Sequence, residues 1–164
     1  SIEKYKQWFY FCLEYDEKQD VLKYVAKGKE EGAELISGGK SPFDKGYFVE
    51  PTVFANVDNK MTIAQEEIFG PVVSVIKFDD IDDLVSKAND SIYGLASGIW
   101  TNNLKDAHVI AGRLKAGTVW VNCYNVFDAA APFGGYKESG FGREMGSYAL
   151  HNYTEVKDVW INLD

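Results

Sequence analysis

The chain has 164 residues, of which 46% are apolar and 15% aromatic, which is enough for one globular core. Acidic residues outnumber basic ones 25 to 17, giving a formal net charge of -8, and no cluster of Lys or Arg falls on one predicted face, which argues against a nucleic-acid or anionic-membrane site. The two cysteines lie far apart and only two histidines are present, so neither a disulfide framework nor a metal site is expected.

Two further absences bear on location. No apolar run reaches the length that a bilayer needs, and the first residues lack the small-residue cleavage pattern of a secretory signal. We predict a soluble protein without a membrane partner, located in the cytoplasm, with the mitochondrial matrix as the alternative.

The first elements are a helix and short strands. Residues 1–18 are unusually aromatic for a terminus and carry no clear pattern. Apolar residues at helical spacing then predict an amphipathic helix over 19–31, with Gly32 as its cap. The stretches ELISGG and GYFVEPTVFANV are rich in β-forming residues and punctuated by Gly and Pro, which predicts strands joined by a loop.

The middle of the chain alternates strands with helices. Residues 72–78, VVSVIKF, are nearly all apolar, which is typical of a strand buried on both faces. The pattern then predicts a helix, a strand, a second helix and a further strand, over 81–90, 94–101, 103–115 and 117–124. This alternation predicts an α/β fold with a mostly parallel sheet and flanking helices.

Each helix of this region has a distinct signature. Acidic residues stand at the positive N-terminal end of the first. The second is expected to turn inward its apolar positions Leu104, Ala107, Ile110, Ala111 and Leu114. A short helix is predicted over 143–153, and the end, 155–164, is interpreted as an exposed strand that needs a partner.

The stretch PFGGYKESGFGREMG, residues 132–146, contains five glycines. A Walker loop is excluded because Phe141 stands where the phosphate-binding lysine is required. A dinucleotide fingerprint is also excluded, since the spacing is GxGxxxG and no strand directly precedes it. The spacing favours turns and close backbone approach, permitted by Gly134, Gly135, Gly140 and Gly142.

Several long motifs together carry a family resemblance: EEIFGPV, YGLASGIWT, AGTVWVNCYNVFDAAAPFGGYKESGFGREMG and YTEVKDV. They resemble the aldehyde dehydrogenase superfamily, in the family's order and over roughly residues 21–163. The resemblance implies that the glycine-rich stretch forms turns near a substrate channel rather than a phosphate cradle.

The resemblance also implies a domain organisation. The chain is similar to the C-terminal third of a family member, comprising an atypical segment over 1–18, part of the catalytic domain over 19–150 and an oligomerisation strand over 151–164. The nucleophilic cysteine, the carboxylate that activates water and the oxyanion donors belong to upstream segments of the family. No catalytic residue is therefore expected here, apart from Glu144 as a proton relay.

The implied cofactor is NAD or NADP. Glu67, the second acid of EEIFGP, matches the family residue that binds the nicotinamide ribose hydroxyls, and Phe69 matches the aromatic residue packed beside that ribose. Outside this motif Glu67 would be interpreted as a solvated loop acid. We expect weak binding by this chain alone, since the dinucleotide's phosphates and adenine bind elsewhere in the family.

The implied substrate is a small aldehyde. Phe127 and Phe133 match positions that line the family's aldehyde channel, and Asn125 lies on the same loop. Without the resemblance these phenylalanines would be interpreted as core residues. Glu144, in GRE, matches the proposed proton relay, although alone it could equally favour its helix N-terminus.

Neither cysteine is predicted to be catalytic. Cys123, in VNCY, matches a non-nucleophilic position near the family's pocket, and we expect a small buried thiol there. Cys12, in FYFCLEY, has aromatic neighbours that would raise the pKa of its thiol.

Three functions stay open. The chain is part of an aldehyde dehydrogenase that oxidises an aldehyde to a carboxylic acid, or a non-catalytic binding or assembly module of the same fold, or a module that binds ligand without turnover. In each case the terminal strand predicts a homo-oligomer formed by strand addition.

Overall fold

A computed structural model describes residues 11–164, and the first ten residues of the predicted atypical segment lie outside this range. The contacts cluster into two compact units, one ending at Asp79 and the other spanning Asp80–Asp164. The predicted division at residues 18 and 150 rests on the resemblance and stays a prediction.

The first unit contains five strands and two helices within residues 11–79. In chain order they are β1 (Phe11–Cys12), α1 (Tyr15–Glu30), β2 (Glu34–Ser37), β3 (Phe48–Val49), β4 (Thr52–Ala55), α2 (Thr62–Gln65) and β5 (Val72–Ser74). The strands β2, β4 and β5 form one sheet in the order β2-β4-β5, and β1 pairs separately with β3.

Helix α1 confirms the predicted helix and begins four residues earlier. The carboxylate of Glu17 accepts a hydrogen bond from the backbone N–H of Glu14 at 2.9 Å, which satisfies a donor that would otherwise be unpaired at the helix start. At the other end Gly32 adopts φ +93°, as predicted for a cap. The N–H groups of Gly32 and Ala33 donate to the carbonyls of Lys29 and Gly28, so α1 ends in a Schellman motif.

The core of the first unit lies between α1, α2 and the three-stranded sheet. Its fully buried centre is Phe54 of β4, and Val25, Ala33, Val57 and Ile63 pack around that ring. Gly28 allows the close approach, because a Cβ on this residue would stand 2.9 Å from Ile63 Cδ1. The position of α2 on α1 therefore depends on a residue without a side chain.

Strand β5 departs from the prediction that residues 72–78 are buried on both faces. Inward positions alternate with outward ones, and Val73 is 56% exposed. Within the described part of the first unit β5 pairs only with β4, and only one of its faces meets the core. The continuous apolar run thus has one covered face in this chain.

The second unit contains a strand–helix–strand crossover preceded by a helix. Its elements are α3 (Ile81–Asn89), β6 (Ala96–Ile99), α4 (Leu104–Arg113) and β7 (Thr118–Val121), followed by 3-10 helices over Lys137–Ser139 and Ser147–Asn152. Strands β6 and β7 pair in parallel, from Ala96 opposite Thr118 to Ile99 opposite Val121. The predicted strands and both helices of this region are confirmed.

Both helices of the second unit have side-chain caps. Asp80 accepts a hydrogen bond from the Asp83 N–H at 2.8 Å at the start of α3, and Asn103 accepts one from the Lys105 N–H at 3.0 Å at the start of α4. On α4 only Ala107 and Ile110 of the predicted inward set are buried. Leu104, in the first turn, is 73% exposed.

The α/β class is confirmed, whereas the sheets of the described residues are three small ones. Two pairings are parallel, β4 with β5 and β6 with β7, and two are antiparallel, β2 with β4 and β1 with β3. Gly38 and Gly39, with φ +74° and +82°, follow β2 where the chain turns back. This reversal makes β2 antiparallel to β4.

The predicted helix over 143–153 is shorter than expected. The backbone of Glu144 pairs with that of Phe133 in an antiparallel bridge, and Met145 and Gly146 follow with φ +59° and +56°. A right-handed helix cannot contain these positive φ values, so helical turns begin only at Ser147. The strand expected over 155–164 is not formed in the single chain, since no described strand pairs with it: residues 154–164 form no helix or strand. The apolar side chains of Val156, Trp160 and Leu163 are more than nine-tenths exposed.

Within residues 11–164 no helix is long and apolar enough to span a membrane. The same part of the chain contains no group of three His, Cys, Asp or Glu residues that could hold a metal ion.

Candidate active site

The predicted cofactor residues lie together on an open groove of the first unit. The groove has a volume of about 710 Å³ and runs between α1 and the segment 62–69. Glu67 and Phe69 both line it, and both side chains are exposed. The structure thus brings these two predicted residues to one surface.

Phe69 has an unusual backbone for its type. Its φ is +49°, in the left-handed region, which costs about 1–2 kcal/mol for a residue with a side chain, and its ring is 76% exposed. Because the ring is mostly exposed, its burial offsets little of this cost. Such strain is concentrated at ligand-binding positions in proteins.

The side chains of the groove fit one end of a dinucleotide better than the other. An exposed carboxylate, Glu67, can accept hydrogen bonds from ribose hydroxyls, and a flat apolar ring can pack on the exposed face of Phe69. The cations of the groove already have acidic partners, since Lys23 lies 2.8 Å from Asp20 and Lys27 lies 3.1 Å from Glu30. The groove therefore fits an uncharged sugar and ring better than phosphates.

A carboxylate at the end of α1 holds the segment that leads to Glu67. Glu31 accepts hydrogen bonds from the backbone N–H and the hydroxyl of Thr62, at 2.7 and 2.6 Å. Thr62 is the first residue of α2, and the N-cap residue before it, Met61, makes no side-chain hydrogen bond to the helix. Glu31 therefore accepts hydrogen bonds at a helix start that would otherwise lack a side-chain cap. The hydrogen bonds from Thr62 hold the pKa of the Glu31 carboxyl below its usual value, with a smaller contribution from Lys27.

This lowered pKa predicts an acid-sensitive first unit. Because the folded state favours the charged carboxylate, its stabilisation is present above the unfolded pKa of about 4.5 and is lost as the pH falls through the lower folded pKa. We expect Glu31→Gln to reduce the loss of stability below about pH 4, measured by denaturant unfolding at several pH values. Glu30→Gln, at a more exposed carboxylate nearby, is the control; an unchanged acid dependence in Glu31→Gln would contradict this assignment.

The predicted substrate residues follow β7 in the second unit. Asn122 comes directly after this strand with φ +53°. Its side-chain amide donates to the Thr101 carbonyl and its oxygen accepts from the Thr101 N–H, both at 2.9 Å. The loop that carries Asn125 and Phe127 therefore starts from a fixed point at the end of the β6–β7 pair.

Aromatic contacts hold this loop against the glycine-rich stretch. The rings of Phe127 and Phe133 meet edge to face, with centroids 5.3 Å apart. Trp120 of β7 contacts Phe127 at 5.5 Å, and its indole N–H donates to the Val126 carbonyl at 2.8 Å. Phe127 remains 49% exposed, so the pair presents an apolar surface to solvent.

Glu144 lies beside Phe133. Each of the two residues donates its backbone N–H to the other's carbonyl, at 2.8 and 2.7 Å, and both line a groove of about 600 Å³. The side chain of Glu144 is exposed. The structure thus brings together Phe127, Phe133 and Glu144, while Asn125 is exposed on the loop with φ +59°.

The glycine-rich stretch has the structural role that its spacing predicted. A Cβ on Gly134 would stand 2.7 Å from the Gly142 carbonyl oxygen, and one on Gly135 would overlap the backbone of Ser139. Gly140 and Gly142 adopt φ +114° and +79°. These positions need glycine for turns and close backbone contacts.

The expectation of a buried thiol at Cys123 is wrong. β7 ends at Val121, so Cys123 lies on the following loop, and its side chain is exposed. The side chain of Cys12 lies outside the described residues.

Sequence reasoning missed three side chains that support these sites. Arg143 donates to the carbonyls of Gly135 and Gly142, at 2.9 and 2.6 Å, and stacks over Tyr136. Trp120 holds the loop of Phe127, and Tyr24 of α1 lines the groove of Glu67. An arginine within a glycine-rich run is a usable signal, since such runs leave carbonyls unpaired; the other two contacts join residues too distant for spacing to indicate.

Comparisons with known proteins place this geometry in a family. The profile of the "Aldehyde dehydrogenase family" matches residues 13–159. The chain is 65% identical over 149 residues to the putative aldehyde dehydrogenase DhaS of Bacillus subtilis, covering 91% of this chain and 30% of that protein. It is 56% identical over 141 residues to a mitochondrial family 2 aldehyde dehydrogenase of Arabidopsis thaliana, covering 86% of this chain and 26% of that protein.

Solved structures agree. The NAD+ complex of an aldehyde dehydrogenase from Bacillus cereus superimposes with a TM-score of 0.87 at 57% identity, covering 92% of this chain and 31% of that one. The chain thus spans about 30% of the length of the relatives it matches. The family profile covers most of the chain, including every predicted site residue, and we conclude that the chain belongs to the aldehyde dehydrogenase family.

Proposed function

We propose that this chain is the C-terminal third of an NAD(P)-dependent aldehyde dehydrogenase, which oxidises an aldehyde to a carboxylic acid. The observation that carries the proposal is the contact of Phe127 with Phe133 beside Glu144, on loops that lie inside the family match. The nucleophile and the base of the reaction then belong to residues outside this chain.

Each site residue has a distinct task in this proposal. Glu67 accepts hydrogen bonds from the nicotinamide ribose, and Phe69 packs beside it; when bound, the cofactor supplies the hydride acceptor. Phe127 and Phe133 exclude water and contact the apolar part of the aldehyde. The exposed carboxylate of Glu144 accepts and returns a proton.

The proposal extends to assembly and location. The terminal segment 154–164 exposes Val156, Val159, Trp160, Ile161 and Leu163, a row of apolar side chains that adding a strand to a second copy would cover. A homo-oligomer in the cytoplasm is the expected form. The same exposed segment favours the second candidate function, a non-catalytic assembly module.

Replacing Glu67 tests the cofactor part. We expect Glu67→Gln to weaken NAD binding by about three- to tenfold in the complete protein, because glutamine keeps an acceptor oxygen and loses only the charge that strengthens the hydrogen bond, which is about 1 kcal/mol. The measurement is the dissociation constant from NAD titration. Glu138→Gln removes an equal charge at an exposed position and should leave it unchanged.

The subunit length separates the two candidate functions. Native mass spectrometry of the protein purified from its source should show a subunit mass roughly three times that of this chain, since the chain covers 30% of the length of a relative that is 65% identical to it. A homo-oligomer of 164-residue subunits that fails to bind NAD would instead support the assembly module.

A further inference from the structure

The loop that carries Glu67 and Phe69 is anchored to α1 at both ends. At its start the hydroxyl of Tyr24 donates to Glu66 Oε2 at 2.9 Å. At its end Gly70 lies so close to Val21 that a Cβ on the glycine would overlap that side chain. Val21 and Tyr24 are three residues apart and therefore lie on one face of α1.

The segment before the loop is anchored as firmly. Thr62 is bound by Glu31, one residue beyond α1. Ile63 is 4% exposed, and its carbonyl accepts a hydrogen bond from the Ser74 hydroxyl at 2.9 Å. Between this fixed segment and Gly70, the Tyr24 hydroxyl makes a side-chain hydrogen bond that ties residues 66–70 to α1.

We propose that Tyr24 is a positioning residue for the cofactor: through Glu66 it fixes the loop 66–70 and so presents Glu67 and Phe69 to the nicotinamide ribose. The cofactor part of this inference rests on the proposed function. Tyr24 acts through its hydrogen bond to Glu66. Its bond to Glu66 restrains a loop whose next residues are exposed and whose Phe69 backbone is strained.

The contact is suited to this role because it engages Glu66 and leaves the next carboxylate, that of Glu67, exposed at the groove. Glu66 and Glu67 are adjacent acids, and the bond to Tyr24 takes the carboxylate of the first. The carboxylate of the second is left exposed at the groove. Two neighbouring residues of the same type thus have separate tasks, one as an anchor and the other as the ligand contact.

The test replaces only the hydroxyl. Tyr24→Phe keeps the ring and removes the donor. Tyr47→Phe is the matched control, because Tyr47 packs its ring on Tyr15, the first residue of α1, and does not line the groove of Glu67. In the complete protein, Tyr24→Phe should speed hydrogen exchange of the amides of residues 66–70 and weaken NAD binding by about three- to tenfold. Tyr47→Phe should do neither.

A double-mutant cycle separates positioning from a general loss of stability. In the Glu66→Ala background Tyr24→Phe should have little further effect on NAD affinity, since the hydrogen bond through which Tyr24 acts is already absent. A full additional loss there would overturn the proposal. So would unchanged exchange of the loop amides in Tyr24→Phe.

The two proposals fail in different ways. If the unmodified complete protein does not bind NAD, the proposed function is overturned. Faster exchange of residues 66–70 in Tyr24→Phe would then still support the anchoring of the loop. If the unmodified protein binds NAD and Tyr24→Phe binds it as Tyr47→Phe does, the positioning role is overturned and the proposed function stands.

Discussion

Replacing Gly117 with alanine is expected to destabilise the second unit by about 3 kcal/mol. Gly117 precedes β7, and a Cβ at this position would overlap the Gly134 carbonyl oxygen. The obstacle is backbone rather than a flexible side chain, so relief requires the glycine-rich stretch to move. The same stretch carries Phe133, and we therefore expect its contact with Phe127 to weaken as well.

The control for this substitution is Gly112→Ala. Gly112 lies in α4, and a Cβ there would meet nothing within 4 Å. Alanine at a helix position favours folding by about 0.5–1 kcal/mol over glycine, so this variant should be slightly more stable. Denaturant unfolding of both variants gives the comparison, and equal stabilities would show that the strand and the glycine-rich stretch are not in contact as described.

Replacing Phe54 with alanine should be the most damaging change in the first unit. The ring is fully buried at the centre of the core, and truncation of such a phenylalanine costs about 3–5 kcal/mol. The cavity would open beside Gly28, where an added Cβ would stand 3.2 Å from Phe54 Cζ. α2 should then pack less tightly on α1, so that the loop of Glu67 becomes mobile.

Phe141→Ala provides the comparison for Phe54. Phe141 is fully exposed, and removal of an exposed ring changes stability by no more than about 0.5 kcal/mol. Both variants would be compared by the midpoint and slope of denaturant unfolding. A loss below about 1 kcal/mol for Phe54→Ala would mean that the core is organised around other residues.

Local chemistry explains which elements could be predicted. The end of α1 at Gly32 and the acidic start of α3 depend on residues within one turn of the chain, and both were confirmed. The crossover from β6 to β7 also follows from alternating short patterns. These features need no knowledge of what packs against them.

The failures concern contacts between distant residues. The apolar run after Pro71 predicted two covered faces, but the number of covered faces depends on what lies beside β5. The helix expected from residue 143 is delayed because Glu144 pairs with Phe133, eleven positions earlier. Cys123 is exposed because β7 ends two residues before it, a boundary that no composition rule fixes.

The candidate site was predictable only through the resemblance. Glu67, Phe127 and Phe133 are ordinary residue types, and their spacing carries no signal of chemistry. The structure places them at two separate surfaces, one in each unit. Their supports, Tyr24 and Trp120, come from elements that sequence patterns treat only as scaffold.

The two hydrogen bonds between Asn122 and Thr101 impose a narrow chemical requirement on one position. The side-chain amide of Asn122 has the same donor and acceptor as a peptide group. It therefore adds one more pair of hydrogen bonds to the parallel pairing of β6 with β7, one residue beyond the end of β7. A carboxylate would face the Thr101 carbonyl with a second oxygen, and glutamine is one methylene too long for the same geometry. Asparagine also tolerates the left-handed backbone found here, so shape, donor, acceptor and main-chain conformation all select the same amino acid.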